Sequence, residues 1–112
     1  MATEITEKPL AQVRPNSTDK VVVYQPNAGT IAIVKFVMVT NTTGSAATYS
    51  IYHDFDGTDF SESNMLVPTV TLPANNAEPL TVYWVINADG ALGVDVGTAG
   101  AITFSFYGAE IK

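Results

Sequence analysis

The run TIAIVKFVMVT at residues 30–40 constrains the fold more than any other stretch. It alternates as a strand does, yet both alternating sets are apolar: Ile31, Ile33, Val37 and Val39 on one side, Ala32, Val34, Phe36 and Met38 on the other. A strand of that kind must be covered on both faces. One cover is the rest of its own domain. A chain of 112 residues holds one core and little material for a further layer, so the second cover is expected to be another copy or another protein.

The flanking segments keep the period of two. VVVY at residues 21–24 stops at Pro26-Asn27-Ala28-Gly29, where Pro sets φ and Gly supplies positive φ. After the central run, Asn41-Thr42-Thr43-Gly44-Ser45 turns the chain, and residues 46–54 return with Ala47, Tyr49, Ile51 and His53 set against Thr48, Ser50 and Tyr52. A polar loop follows, DFDGTDFSESN at residues 54–64, in which Phe55 and Phe60 are expected to fold back as anchors. Pro68 marks the next strand as an edge or a bend. Residues 78–87 put Leu80, Val82, Trp84 and Ile86 on one face and Thr81, Tyr83 and Val85 on the other, with Trp84 expected at the centre of the core. Leu92, Val94 and Val96 form a short strand, and Ile102, Phe104 and Phe106 point inward from the last one.

No segment has a period of 3.6, and turn signals recur roughly every ten residues, the rhythm of an antiparallel sandwich. The expected fold is all-β, an antiparallel β-sandwich of jelly-roll or Greek-key type with seven or eight strands. Pro9 and Pro15 set residues 1–19 apart as an extended N-terminal arm ahead of a β-sandwich domain at 20–112. As a clasp, the arm would lay Leu10, Val13 and Arg14 across a neighbouring subunit by adding a strand to its edge; the alternative is a frayed tail.

Charged residues make up 14% of the chain, against about 25% in ordinary soluble domains. A surface of Thr, Ser, Asn and Ala suits packing into an assembly. The net charge of −6 repels a phosphate backbone, so nucleic acid is not an expected partner. The absence of cysteine removes disulfides, thiolate metal sites and cysteine nucleophiles together. The first residues carry neither a basic nor an apolar leader region, and no run reaches the length of a membrane span; a soluble, unprocessed chain away from membranes is expected.

The residues that carry chemistry are few. Asp54, Asp56, Asp59 and Glu62 around Gly57 are hard oxygen ligands at the close spacing that Ca²⁺ uses, but the order is not that of an EF-hand, and a solvated turn has the same composition. The expectation is no metal and no cofactor. His53 stands beside Asp54, yet strand neighbours face opposite ways, and no serine lies in a nucleophile elbow. Asn16-Ser17-Thr18 and Asn41-Thr42-Thr43 match the glycosylation pattern without a secretory signal. Tyr24, Tyr49, Tyr52, Tyr83 and Tyr107 would make a carbohydrate platform if they shared a face; the plainer reading is half-buried strand tyrosines.

The string GTIAIVKFVMVTNTTGSAATYSIYHDFDGTDF, with LAQVRP before it and AITFSFYGAEI at the end, resembles small β-sandwich virion proteins of tailed bacteriophages. The likeness lies in the turn Val39-Thr40-Asn41-Thr42 after the long apolar strand and in the closing strand Tyr107-Gly108-Ala109-Glu110-Ile111. It implies a non-enzymatic capsid decoration or cement protein, on the capsid surface of the virion, often trimeric, with the major capsid protein or another virion protein as partner. It carries no active-site residues. Under that implication Leu10, Val13 and Arg14 of the arm, and Ala32, Val34, Phe36 and Met38 of the oily outer face, lie at interfaces. The alternative from another class is a tail- or fibre-associated adhesion or carbohydrate-binding β-sandwich module.

Overall fold

β-branched and aromatic residues at a period of two, broken by Gly, Pro and Asn, give eight strands in a computed structural model that describes residues 4–112. They are β1 (Ile5–Val13), β2 (Val21–Tyr24), β3 (Ile31–Asn41), β4 (Ala47–Asp54), β5 (Met65–Leu72), β6 (Asn76–Ile86), β7 (Ala91–Val96) and β8 (Ile102–Ile111). A single 3₁₀ turn, Glu62–Asn64, precedes β5. One sheet runs β1-β8-β3-β6 and the other β2-β7-β4-β5, with every pairing antiparallel. The first strand thus bonds the last, the second the seventh, the third the sixth and the fourth the fifth. A hairpin of the whole chain rolled into two sheets gives this order, which is the jelly roll.

Inward side chains of the two sheets form one core. Its largest fully buried members are Tyr49, Phe104 and Phe106, with Phe104 edge-on to Tyr49 at 5.7 Å. Trp84 is not its centre. It faces inward, but β6 is an edge strand, so the ring is only half-buried at the side of the core. Two phenols tie sheet to sheet: Tyr24 of β2 donates to Glu110 of β8, and Tyr49 of β4 donates to Glu78 of β6.

Residues 5–13 depart from the expected arm. They are extended, but they form β1 and complete the chain's own sheet, and the ladder continues between Glu4 and Lys112 (3.1 and 2.9 Å). Residues 1–3 of the expected arm lie outside the described residues. Pro9 is tolerated because β1 is an edge strand, where a missing N–H faces away from the ladder. The same holds for Pro68 in β5 and Pro79 in β6, whereas β8, β3, β7 and β4, all interior, contain no proline. The fourth edge, β2, is only four residues long. All four edges are thus poor templates for strand addition.

A bulge decides which way β3 faces. Between Val34 and Phe36 the pairing with β8 advances two residues against one, from Gly108 to Tyr107, which leaves Lys35 extra and reverses the alternation. Ala32, Val34, Val37 and Val39 therefore all point into the core, with no exposed surface. Ile31, Ile33, Phe36 and Met38 point out. β1 slips beside it, between Pro9 and Ala11, so the irregularity crosses the sheet. Strands β3 and β8 approach so closely here that a Cβ on Gly108 would lie 1.8 Å from the Ile33 carbonyl oxygen.

Candidate functional site

The two sheets differ in what covers their outer faces. On the β2-β7-β4-β5 sheet the loop between β4 and β5 folds back, and Phe60 lies across Gly93 and against Tyr52, ring centroids 5.8 Å apart. A side chain at position 93 would occupy the Phe60 ring, since a Cβ there falls 2.3 Å from it. Lys20 fixes the loop by donating to the Phe60 carbonyl (3.0 Å) with its ammonium over the Tyr52 ring. The Tyr52 phenol donates to Asp95 (2.9 Å).

The outer face of the β1-β8-β3-β6 sheet has no such cover among the described residues. Register places Ile33 beside Val85 and Ala109, and Phe36 beside Tyr107 and Thr81. Ile5, Ile31, Val85 and Tyr107 are exposed around them, as is Tyr83, at 68%. The bulge residue Lys35 reaches Glu7 on the same face at 2.9 Å, a pair that holds the Glu7 carboxyl below its usual range. This ion pair crosses the face over β8, beside an apolar patch of the kind that suits association, and toward the other end the same face is polar, with Gln12 bonded to Ser105 and Arg14 to Thr103.

The expected interface residues separate accordingly. Phe36 and Met38 lie on this face. Ala32 and Val34 do not, because the bulge turns them into the core. Leu10 and Val13 pack against the chain's own core. Arg14 is held within the chain, donating through Nε to Thr103 (2.9 Å) and through an Nη to Thr42 (3.1 Å), and Pro15 accepts from Gly100 (2.8 Å). Tyr83 and Val85 were legible as the far face of their strand, but only the pairing with β3 shows that they extend its oily side.

The acidic loop is organised by its own main chain. Asp54 accepts from the N–H of Asp59 (2.8 Å) and of Asp56 (3.2 Å), which holds its carboxyl below the ordinary range. Among the described residues no group of three or more His, Cys, Asp or Glu side chains is placed to hold a metal ion, so Asp54, Asp56, Asp59 and Glu62, weighed against a solvated turn in the sequence, are not brought together as a ligand set. His53 faces inward and is buried, its pKa lowered by burial and partly restored by Asp54; among the described residues its Nε2 has no hydrogen-bond partner. Beside it opens a cleft of about 420 Å³ lined by His53, Asp54, Phe55, Asp56, Asn64 and Met65 among others. Phe55, expected to fold back, stands exposed at its rim. Nor do the five tyrosines form a platform, because Tyr24, Tyr49 and Tyr52 bond carboxylates while Tyr83 and Tyr107 lie on the opposite sheet's outer face.

No protein-family model and no curated protein sequence matches the chain. Solved structures do, by shape. A chain of infectious bursal disease virus, Gx strain, superposes with a TM-score of 0.53 at 12% identity over 99% of this chain. A chain of that virus's T13 particle gives 0.55 at 10% identity over 97%. This chain spans 33% and 30% of their lengths. The Drosophila NLP-core, described in terms of pentamer formation and histone binding, gives 0.50 at 10% identity over 94% of this chain and 96% of its own. At such identities the likeness is one of fold, an antiparallel β-sandwich shared with chains of a virus particle and with a non-viral protein.

Proposed function

We propose that this chain is a non-enzymatic structural protein of a virus particle, of the capsid decoration or cement type, that assembles as a trimer and docks on neighbouring capsid subunits. The observation that carries the reading is the uncovered apolar patch around Ile31, Phe36, Tyr83, Val85 and Tyr107 on the outer face of the β1-β8-β3-β6 sheet, set beside an opposite sheet that its own loop covers. Such asymmetry gives an oligomer contact a natural place. The proline-bearing edges favour packing through faces over strand exchange. The likeness to chains of infectious bursal disease virus and the pattern shared with phage virion β-sandwiches support a virion location. In such a role an interface of about 1,600 Å² is repeated around the capsid, and multiplicity supplies strength without chemistry.

Purifying particles on a density gradient from cells that produce them, and probing the fractions with an antibody to this chain, tests the reading. The chain is expected to co-sediment with heads and to label their surface in immunogold micrographs. Its recovery only in the soluble fraction would overturn the proposal.

A further inference from the structure

His53 is a buried ionisable group of which the docking face makes no use. It is 6% exposed, and its Nε2 is enclosed without a hydrogen-bond partner among the described residues. Buried polar atoms are normally satisfied, so this one calls for an explanation. Its neighbours are apolar: Leu92, with no exposed surface, lies directly opposite on β7, and the Phe55 ring stands 4.8 Å away. The backbone here is supported from one side only. β4 pairs with β7 as far as Asp54, but its ladder with β5 is irregular on both sides of Ile51 and ends at Tyr52. His53 thus closes the end of the core from a strand tip that a single neighbour holds.

A neutral imidazole fits this place and an imidazolium does not. The neutral ring carries one N–H and one lone pair, whereas the cation carries an N–H on both nitrogens, so Nε2 would hold a buried hydrogen and part of a charge with no acceptor. The charged groups on the surrounding elements do not supply one. Asp54 follows on the strand but points to the opposite side, where its carboxylate accepts from the Asp56 and Asp59 N–H groups. Asp56, Asp59 and Glu62 are exposed on the loop, and Asp89 is exposed in the β6–β7 turn. Asp95, on the outer side of β7, accepts from Tyr52; β5 has no charged residue; and on the facing sheet Glu110 is engaged by Tyr24 and Lys8. Asp54 is the one whose charge acts on the ring, and it offsets burial only in part, so the His53 pKa stays below 6.5. We propose that His53 is an acid-sensitive latch: neutral, it closes the tip of β4 over the core, and on taking a proton it releases that tip and the loop that follows. It does so whether or not the outer sheet face docks on a capsid. The closed tip excludes the proton that the open tip accepts. Closure is therefore at full strength above about pH 6.5 and weakens as pH falls toward the lower value of the closed form, the opening equilibrium rising by up to about tenfold per pH unit.

Native-state hydrogen exchange on the full chain, with each rate divided by its intrinsic value at that pH, tests the latch. Amides of residues 52–54 and 91–93 report the tip, and those of β3 and β8 report the core. Between about pH 7.5 and about pH 5.5 the tip is expected to open about tenfold more, while β3 and β8 keep their protection. His53 is the sole histidine, so the ring nitrogens of ¹⁵N-labelled protein follow its titration without ambiguity, and they are expected to titrate below 6.5. In His53→Leu and in His53→Gln, neither of which titrates, tip exchange is expected to be independent of pH over this range. The parent measurements decide alone should a variant fail to fold. The proposal is overturned by a His53 that titrates at 6.5 or above, by a tip no more open at the lower pH, by a rise that β3 and β8 share equally, or by the same rise in both variants.

Discussion

Replacing Asn41 should show how the two sheets are locked at one end. The side chain is 1% exposed and ends β3. Its Nδ2 donates to the carbonyls of Ser45 (2.9 Å), Leu72 (3.1 Å) and Pro73 (3.2 Å), and its Oδ1 accepts from the N–H (3.0 Å) and hydroxyl (2.7 Å) of Thr43. One amide thereby joins the β3–β4 turn to the β5–β6 turn, which also meet through Asn75 N–H and Thr43 O (3.0 Å). In Asn41→Ala the Thr43 N–H can turn to water and the Ser45 carbonyl keeps the Thr43 hydroxyl (2.9 Å), but the carbonyls of Leu72 and Pro73 lose this donor. The amide has two N–H protons for its three acceptors, so at about 1 kcal/mol per N–H the loss is about 2 kcal/mol, out of a total of roughly 5–15 kcal/mol for a domain. Followed by the fluorescence of the single tryptophan, Trp84, the urea midpoint should fall by about 1 M for an m-value of about 2 kcal/mol/M. Asn41→Asp retains the acceptor but turns an anion toward three carbonyl oxygens, so at neutral pH it should lose at least as much. A midpoint for Asn41→Ala within about 0.3 M of the parent, or less than about 0.6 kcal/mol, would refute the lock.

Tyr24 and Tyr49 have pKa values raised above the ordinary 10.0, first by burial and then by their bonds to Glu110 and Glu78. Their contribution to stability is full below that value and is lost as pH rises past it, so alkaline unfolding should track phenolate absorbance, and Tyr24→Phe with Tyr49→Phe should flatten that dependence; an unchanged alkaline limb would contradict the inter-sheet ties. Glu110 is shifted the other way, below 4.5, chiefly by the Tyr24 hydrogen bond, so its contribution holds above that value and disappears on acidification, and Tyr24→Phe should weaken the acid dependence measured by the same unfolding experiment. Gly93→Val should expel Phe60 and speed amide hydrogen exchange through residues 55–64 while core amides stay protected, as Phe60→Ala should too; unaltered exchange in both would mean that the ring does not anchor the loop. Gly108→Ala drives a methyl into the Ile33 carbonyl and should cost more than about 3 kcal/mol or prevent folding, read as loss of soluble protein or of the cooperative transition.

The alternation that betrays strands was legible because a period of two survives in any pairing. The facing of β3 was only half legible. A bulge belongs to the partner as much as to the strand, and nothing in IVKFV announces that Lys35 is the extra residue against β8. Ala32 and Val34 were therefore assigned to the outer face, while Phe36 and Met38, beyond the slip, do point outward. Prolines 9 and 15 read as a detached arm because proline cannot serve an interior ladder, but an edge strand tolerates it, and which strands are edges is a property of topology. Phe55 and Phe60 look alike in the loop sequence; what separates them is Gly93, more than thirty residues away, whose bare Cα admits one ring. His53 was legible as inward-facing from its phase with Ala47, Tyr49 and Ile51. That its Nε2 lacks a hydrogen-bond partner among the described residues was not, because satisfaction depends on neighbours contributed by other segments.

The outer apolar face as an oligomer contact is tested most directly by sedimentation equilibrium over a range of concentrations, on the parent chain and on a Tyr83→Lys, Val85→Lys double variant. Both side chains are exposed, so the variant should fold with an unchanged midpoint. The parent is expected at the mass of three 11.9-kDa chains, and the variant at the mass of one. A parent that stays at one chain's mass at every concentration, or a trimer that survives both lysines, would contradict it.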